Sequence, residues 1–379
     1  MRIKFNRPIL QDAISYAMLS VSNKNTIAAV EGILISCEND RVVLTTYDLD
    51  KGMRIEIDAD IEEPGACILN AQSLNSMIRL MPAGVVELTV NEYFRAKLSA
   101  GNTEFELNGM DAKEFPTLPD TTKTYGFNIK QGDLKSMIMQ TLFAVAQNDA
   151  RATFNGAYFK IKDNRITTVG CDSFRLAIRE KVYDLENTSD CALDISFIIP
   201  GRTLNEILKL LNDPDENVNI TLNKKQVIFN FEKRDMVFFS RLIEGEYIDY
   251  ERIIPQNSTI FVNVDTAVFE GALNRASLVT DDSAGKNKSL ARCYFHDNKL
   301  EITSVSVNGK VRDEIPTSHE GNEIEIGFNC RYLTEALKAS MCEKLKLSLS
   351  SPYISMIIEA LDSDKNDRFI FLVLPCKMK

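Results

Sequence analysis

The same strand–turn–strand pattern occurs three times in this chain. Its turns are Asn39-Asp40, Asp163-Asn164 and Asp297-Asn298, so successive turns are 124 and 134 residues apart. Runs rich in β-branched residues flank each turn, which predicts a β-hairpin. A repeat of this length matches a whole domain and not a solenoid unit of about 20–50 residues. The sequence therefore predicts three copies of one fold, an arrangement suited to a ring or a scaffold.

Each repeat is predicted to contain two similar strand–helix–strand halves. The first helices are expected over residues 10–20, 132–146 and 266–279, and the second helices over residues 71–81, 201–211 and 331–340. In the second repeat, the residues expected on the apolar face of the first helix are Leu134, Ile138, Met139, Leu142 and Ala146. Six such units predict an α+β fold with mainly antiparallel sheets.

Two turn-rich segments with proline separate the repeats. Residues 116–122 contain Pro116 and Pro119, and residues 255–259 begin with Pro255. Such segments are typical of linkers. The predicted domains are therefore residues 1–122, 123–254 and 255–379.

The composition is that of a globular protein, with 44% hydrophobic and 26% charged residues. No apolar run approaches the roughly 20 residues of a membrane helix, and the first residues lack the apolar core of a signal peptide. The eight cysteines form no CxxC pair, so the sequence indicates no metal site and no cofactor. We expect a cytoplasmic protein with reduced thiols.

Residues for catalysis are scarce. The chain has only two histidines, His296 and His319, and both are expected at the surface. Asp48 and Asp172 occupy equivalent repeat positions, where Ser306 stands in the third repeat, so a turn role is expected for them. No nucleotide-binding, metalloprotease or hydrolase motif is present. The sequence therefore predicts a protein that is not an enzyme.

A basic position recurs on the second helix of each repeat. The second helices align on Leu74, Leu204 and Leu333, and five positions after these leucines stand Arg79, Lys209 and Lys338. Seven positions before each of these basic residues stand Gln72, Arg202 and Arg331. Two helical turns separate the two positions, so they share one face. This face is either simply solvated or meets phosphates without reading bases. The net charge of −10 argues against nucleic acid unless the basic groups are segregated.

The size of a ring lined by these helices bears on whether the basic face could meet DNA. Six helices spaced about 8–10 Å apart would close a ring with a hole under about 10 Å. Twelve helices would leave a hole of about 25 Å. Duplex DNA is roughly 20 Å across, so two chains could encircle it and one chain could not.

Four segments carry a resemblance to a known family: residues 169–177, 242–255, 325–329 and 372–378. Over its full length the chain resembles the β subunit of bacterial DNA polymerase III, the sliding clamp. The resemblance implies the DNA clamp fold, with helices lining a ring, and a non-catalytic processivity factor of DNA replication. It also implies a head-to-tail homodimer that slides on duplex DNA without sequence specificity. The implied partners are the replicative polymerase subunit, the clamp loader, and other DNA polymerases and repair proteins that carry clamp-binding motifs.

The family has a peptide-binding groove, and the resemblance assigns it to Phe154, Cys171, Ser173, Phe174, Arg175, Leu176, Ile248, Arg252, Ile253, Leu372, Leu374, Pro375, Cys376, Lys377 and Met378. Apolar partner side chains are expected on Leu176, Ile253, Leu374 and Pro375. Polar or acidic groups are expected near Arg175, Arg252 and Lys377. The chain departs from the common family pattern at Cys171, Ser173, Phe174, Ile248 and Cys376.

Two further surfaces follow from the resemblance. Phe105 and Leu107 are expected to meet Leu278 and Val279 of a second copy. The residues expected to face DNA are Lys24, Arg79, Asn148, Arg202, Lys209, Arg331 and Lys338. Two other functions remain open on the residues alone: a protein-interaction scaffold without a DNA role, and an enzyme with a site between repeats.

Overall fold

The computed structural model describes residues 1–22, 25–119, 124–183, 185–190, 192–280, 290–307 and 309–378. They divide into two compact units. The first unit comprises Met1–Gly132, Leu185–Ala192 and Lys209–Leu242, and the second comprises Asp133–Asp184, Leu193–Leu208 and Ile243–Lys379.

Within these residues the helices are α1 (Arg7–Ala17), α2 (Ala71–Leu80), α3 (Gln131–Leu142), α4 (Gly201–Leu210), α5 (Thr266–Ser277) and α6 (Cys330–Ser340). The strands are β1 (Arg2–Asn6), β2 (Gly32–Glu38), β3 (Arg41–Tyr47), β4 (Lys51–Ile57), β5 (Asp60–Glu63), β6 (Ala66–Asn70), β7 (Val85–Val90), β8 (Arg95–Ala100), β9 (Thr103–Asp111), β10 (Tyr125–Lys130), β11 (Gly156–Lys162), β12 (Arg165–Cys171), β13 (Arg175–Val182), β14 (Glu186–Asn187), β15 (Ile195–Pro200), β16 (Asn217–Leu222), β17 (Gln226–Phe231), β18 (Met236–Arg241), β19 (Ile260–Asp265), β20 (Leu290–His296), β21 (Lys299–Ser306), β22 (Gly309–Pro316), β23 (Ser318–Glu320), β24 (Ile324–Asn329), β25 (Lys344–Leu349), β26 (Met356–Ala360) and β27 (Asp367–Val373).

The described strands form three antiparallel sheets, and the α+β prediction is confirmed. The first unit holds one sheet in the order β14-β10-β16-β17-β18-β4-β3-β2-β6-β9-β8-β7-β1-β5. The second unit holds a sheet in the order β15-β11-β12-β13-β27-β26-β25-β19-β23 and a smaller one in the order β22-β21-β20-β24. Strands of the middle repeat enter both units, where β18 pairs with β4 and β13 pairs with β27. The sheets therefore continue across the domain limits expected from the sequence.

All three predicted hairpin turns are confirmed. Both residues of each turn have positive φ: 47° and 62° at Asn39-Asp40, 49° and 62° at Asp163-Asn164, and 45° and 58° at Asp297-Asn298. This is the backbone of a two-residue type I′ turn, which matches the twist of the strands it joins. Asparagine and aspartate tolerate the left-handed region better than other side chains do, which is why the pattern recurs there.

Three helices, α2, α5 and α6, begin at side-chain caps that their sequences supply. The side chain of Asn70 accepts a hydrogen bond from the backbone N–H of Ser73, and Asn329 caps α6 in the same way. Asp265 accepts from Val268 at the start of α5. Each bond satisfies a backbone donor that the first turn of a helix leaves open.

The apolar face predicted for α3 needs two corrections. Met139 is 43% exposed, whereas Met137 is fully buried beside Leu134 and Ile138. A helix advances about 100° per residue, so positions 134, 137, 138 and 141 share one face and position 139 turns away from it. The helix also ends at Leu142, which leaves Ala146 in the following loop.

Candidate functional site

Five of the predicted groove residues belong to one apolar cluster of the second unit. Phe154, Cys171, Leu176 and Leu372 are buried in it, and Ile248 packs against it. Strands β13 and β27 set this arrangement, because their register places Leu176 opposite Leu372. The structure therefore brings these five predicted residues together.

The C-terminal segment is docked by its backbone. The Leu374 N–H donates to the Phe174 carbonyl at 2.9 Å, and the Cys376 N–H donates to the Gly327 carbonyl at 2.8 Å. The tail packs closely on Gly327, since a Cβ there would lie 2.9 Å from Cγ of Met378 and 3.1 Å from the Cys376 carbonyl oxygen. These contacts hold the tail against β24, so it can form a wall of a groove.

Three apolar residues of the predicted groove remain exposed. Ile253 and Leu374 are each 37% exposed, and Phe174 is 56% exposed. The Phe174 ring lies 6.0 Å from the ring of Tyr332, with the planes inclined at 29°. Pro375 is half-buried beside Leu374. These side chains can receive the apolar side chains of an extended segment.

Arg175 differs from its expected place at the rim. Its guanidinium is buried, donates to Asp172 at 2.9 Å and pairs with Glu335. It also lies 4.5 Å from the centroid of the Tyr332 ring. Burial of a guanidinium requires paired carboxylates, so Arg175 supports the aromatic pair from within. Sequence reasoning missed Glu335 and Tyr332, which lie on α6.

The rim cations among the predicted residues are Arg252 and Lys377. Lys377 is exposed. Arg252 is also exposed and pairs with Asp249 at 2.8 Å. A bond between exposed groups is weak, so Arg252 can exchange it for an acidic group of a ligand.

Arg151 is a third residue that sequence reasoning missed. Its guanidinium carbon lies 3.8 Å from the centroid of the Phe154 ring, and it donates to the Ser173 hydroxyl and to Asp149. Hydrogen bonds from Arg151 lower the pKa of Asp149 to about 2. Ser173 has φ 75°, a left-handed conformation that serine adopts with strain. The sequence signal that could have identified Arg151 is the acidic residue Asp149, two positions earlier.

The expected turn role of the repeated aspartates is confirmed. Asp48 accepts from the N–H groups of Asp50 and Lys51, at 3.0 and 2.8 Å. Asp172 accepts from those of Phe174 and Arg175, both at 3.0 Å. In the second repeat this turn aims Phe174 outward while it seats Arg175 inward.

The groove thiols are protonated and apolar in character. Burial raises the pKa of Cys171 and of Cys376 above the usual value near 9. A thiol that stays protonated is a poor nucleophile and a poor metal ligand. Among the described residues, no group of three or more His, Cys, Asp and Glu side chains could hold a metal ion.

The described residues expected to face DNA lie on three helices and in one loop. Arg79, Arg202 and Lys209 are exposed on α2 and α4, and Asn148 is exposed in the loop after α3. On α6, Arg331 donates to Glu335 at 2.8 Å, and Lys338 lies 3.7 Å from Glu270. Lys24 falls outside the described residues.

The residues expected at a dimer interface lie beside open strand edges of their own units. Phe105 and Leu107 are half-buried on β9, which pairs with β8 along residues 103–108 but meets β6 only at residues 109–111. Leu278, directly after α5, is 83% exposed, and Val279 is half-buried. In the described part of the second unit, β22 is the outermost strand of the smaller sheet.

Comparison with known proteins gives matches along the whole chain. Three family models match in order: the DNA polymerase III beta subunit N-terminal domain at residues 1–119, the central domain at 128–249 and the C-terminal domain at 251–376. The Beta sliding clamp of Bacillus subtilis is 30% identical, with 100% of both chains covered. Solved sliding-clamp structures are similar too. That of Bacillus subtilis has a TM-score of 0.92 and 29% identity, and the beta subunit of Streptococcus pyogenes DNA polymerase has 0.91 and 25%, each with full coverage of both chains.

A search of the described helices found none with the length and apolar character needed to cross a membrane.

Proposed function

Since this chain belongs to the family of DNA polymerase III beta subunits, the non-catalytic sliding clamps, we propose that it is a cytoplasmic processivity factor whose head-to-tail homodimer encircles duplex DNA. The observation that carries the proposal is the match of all three family domains, in order, along one chain. The proposed domains are residues 1–122, 123–254 and 255–379.

Open strand edges support the dimer. We assign Phe105 and Leu107 on β9 to one side of the contact, and Leu278 and Val279 to the other. In the described parts of the two units, residues 103–108 of β9 lack a second neighbouring strand and β22 has an open side. Two such edges can join as adjacent strands, with backbone hydrogen bonds giving affinity. A contact between different surfaces closes into a ring when its rotation suits.

Helix number supports a ring around duplex DNA. The described part of one chain has six α-helices, so two chains would supply twelve. Twelve helices spaced about 8–10 Å apart leave a hole of about 25 Å, enough for a duplex roughly 20 Å across. The exposed Arg79, Arg202 and Lys209 would then meet phosphates, while the net charge of −10 repels DNA from other surfaces.

The groove over the apolar cluster is the proposed site for partner proteins. Ile253, Leu374 and Phe174 offer exposed apolar area, while Arg252 and Lys377 supply charge at its margin. A short extended segment with leucine or phenylalanine side chains and an acidic group fits this chemistry. Replicative polymerase, clamp loader, other polymerases and repair proteins are the proposed carriers of such segments.

Loading on DNA at different salt concentrations tests the proposal. Replacing both Arg202 and Lys209 with Ala is expected to weaken loading and flatten its salt dependence, because each lost phosphate contact lowers the slope by about one. Equal loading with an unchanged slope would show that α4 does not meet DNA. The variant should bind polymerase-derived peptides normally, since neither residue belongs to the groove.

A further inference from the structure

The open edge of β9 has an apolar face and an acidic face. Phe105 lies opposite Leu98 of β8, which is buried in the core of the first unit. Leu107 shares this face, because side chains two residues apart on a strand point the same way. Glu104 and Glu106 alternate with these residues and are exposed. Their carboxylates therefore stand on the outer face of β9, away from the core.

The open edge of β22 has the same division with the opposite charge. Arg275 of α5 donates to Asp313 at 2.6 Å, so this helix covers the face that Asp313 shares with Val311. Val311 is half-buried and packs against the apolar core of the second unit. Lys310 and Arg312 alternate with these residues and are exposed. The outer face of β22 is therefore basic where that of β9 is acidic.

The strands behind the two edges supply partial counter-charges. Lys97 of β8 lies 2.7 Å from Glu104, and Glu301 of β21 accepts from Arg312 at 2.8 Å. Glu104 and Arg312 remain exposed, so both bonds are weak. A strand added to either edge would lie about 4.8 Å from its neighbour, whereas the counter-charges stay one strand behind. Glu104 and Arg312 can therefore attract each other across a contact between two copies.

The alternation of faces selects one register for this contact. The described neighbours of β9 and β22 are antiparallel, and we expect the joined edges to continue that pattern. The register that joins apolar to apolar and acidic to basic has three residue pairs: Phe105 with Val311, Glu104 with Arg312, and Glu106 with Lys310. A shift of one residue would move every acidic side chain to the apolar face.

Shifts of two residues keep the faces but lose the charge match. In one direction, Glu104 would stand opposite Glu314, and like charges directly opposite each other are destabilising. In the other direction, Glu106 would pass Gly309, the residue at which β22 begins. The register with two acidic–basic pairs is therefore favoured over both neighbouring registers.

We propose that this charge pattern specifies the partner: the acidic edge of β9 accepts only a second copy whose β22 edge is basic at these two positions. The inference rests on the proposed dimer and adds its register and its specificity. A copy with the two charges exchanged would be rejected, because both contacts of a mixed ring would then join like charges. The closed ring contains the contact twice, so four pairs act together.

The first test uses two full-length variants that each reverse the charge of one edge. One carries Glu104→Lys and Glu106→Lys, and the other carries Lys310→Glu and Arg312→Glu. Each alone should dimerise at least about 100-fold more weakly than the wild type in sedimentation velocity, because four attractive pairs become repulsive. When the two are mixed, they should form a heterodimer nearly as tight as the wild-type dimer, since both contacts match again.

A variant with all four substitutions tests specificity. It should dimerise with itself but exchange no subunits with the wild type, as followed by energy transfer between labelled chains. Salt should act with opposite signs: it screens attraction and weakens the wild-type dimer, but it screens repulsion and strengthens dimers of the one-edge variants. Lys224→Glu with Lys225→Glu, in the turn between β16 and β17, matches the charge change of the basic-edge variant and should leave dimerisation unchanged.

The results separate this inference from the ring itself. Circular dichroism establishes that each variant is folded. Folded one-edge variants that dimerise as tightly as the wild type, or that fail to complement each other, would refute the charge pattern. Free subunit exchange between the fourfold variant and the wild type would refute the specificity. These outcomes leave the clamp function intact, because apolar contacts can still hold the ring, whereas a monomeric wild type would refute the ring.

Discussion

The substitution Leu278→Asp should weaken dimerisation strongly while the protomer stays folded. The side chain is 83% exposed in the protomer, so the change should alter protomer stability by no more than about 0.5 kcal/mol. Burying a leucine fully contributes about 1.5–3 kcal/mol. A closed ring contains this contact twice, so the dimer should lose roughly 3–6 kcal/mol, or about two to four orders of magnitude in dissociation constant. Desolvation of the new charge adds to this loss.

Sedimentation velocity across nanomolar to micromolar concentrations measures this loss directly. The matched control is Leu80→Asp, because Leu80 is 79% exposed at the end of α2 and also places the new acid at a helix C-terminus. We expect folded monomers from Leu278→Asp and dimers from Leu80→Asp. A Leu278→Asp protein that stays dimeric at nanomolar concentration, or equal dissociation of both variants, would refute the interface.

Three other predictions concern the groove. Deleting residues 375–379 removes the hydrogen bond from Cys376 to Gly327 and one wall of the proposed groove. Polymerase-derived peptides should then bind about 1–2 kcal/mol more weakly by calorimetry, while the dimer persists. Unchanged affinity would place the groove elsewhere. Phe174→Ala should weaken peptides with an aromatic residue more than matched peptides with leucine, because the exposed ring beside Tyr332 is lost; equal losses would argue against stacking. Burial raises the pKa of Glu335, but hydrogen bonds from Arg331 and Arg175 outweigh burial and hold the pKa below 4.5. The ionised Glu335 therefore stabilises the folded protein above about pH 4.5, and this stabilisation is lost as the pH falls. Glu335→Gln should therefore be less stable at pH 7 and lose less stability on acidification in urea unfolding; parallel pH profiles would contradict this.

Local chemistry made part of the fold predictable. The hairpin turns follow from Asn and Asp pairs that accept positive φ, and the turn role of Asp172 depends on residues two and three positions away. The predicted start of α1, residue 10, is three residues late. The helix begins at Arg7, with Pro8 in its first turn, a position that suits proline.

Long-range pairing was not predictable in the same way. The pairing of β18 with β4 joins strands that are far apart in the chain, and open strand edges alone do not specify their partner. The same limit applies to the site. Arg175 looked like a rim cation because its partner Glu335 stands 160 residues later. The family resemblance named the residues of the apolar cluster, whereas the network that supports Phe174 required the three-dimensional structure.

Retention on circular DNA tests the central claim most directly. The chain is loaded by a clamp loader onto a nicked circular duplex, and its release is followed after a restriction enzyme linearises the DNA. A ring that encircles DNA should remain on the circle and slide off the linear ends, at a salt concentration where ordinary phosphate contacts are weak. Equal release from circular and linear DNA would contradict topological binding and the sliding-clamp function proposed for this chain.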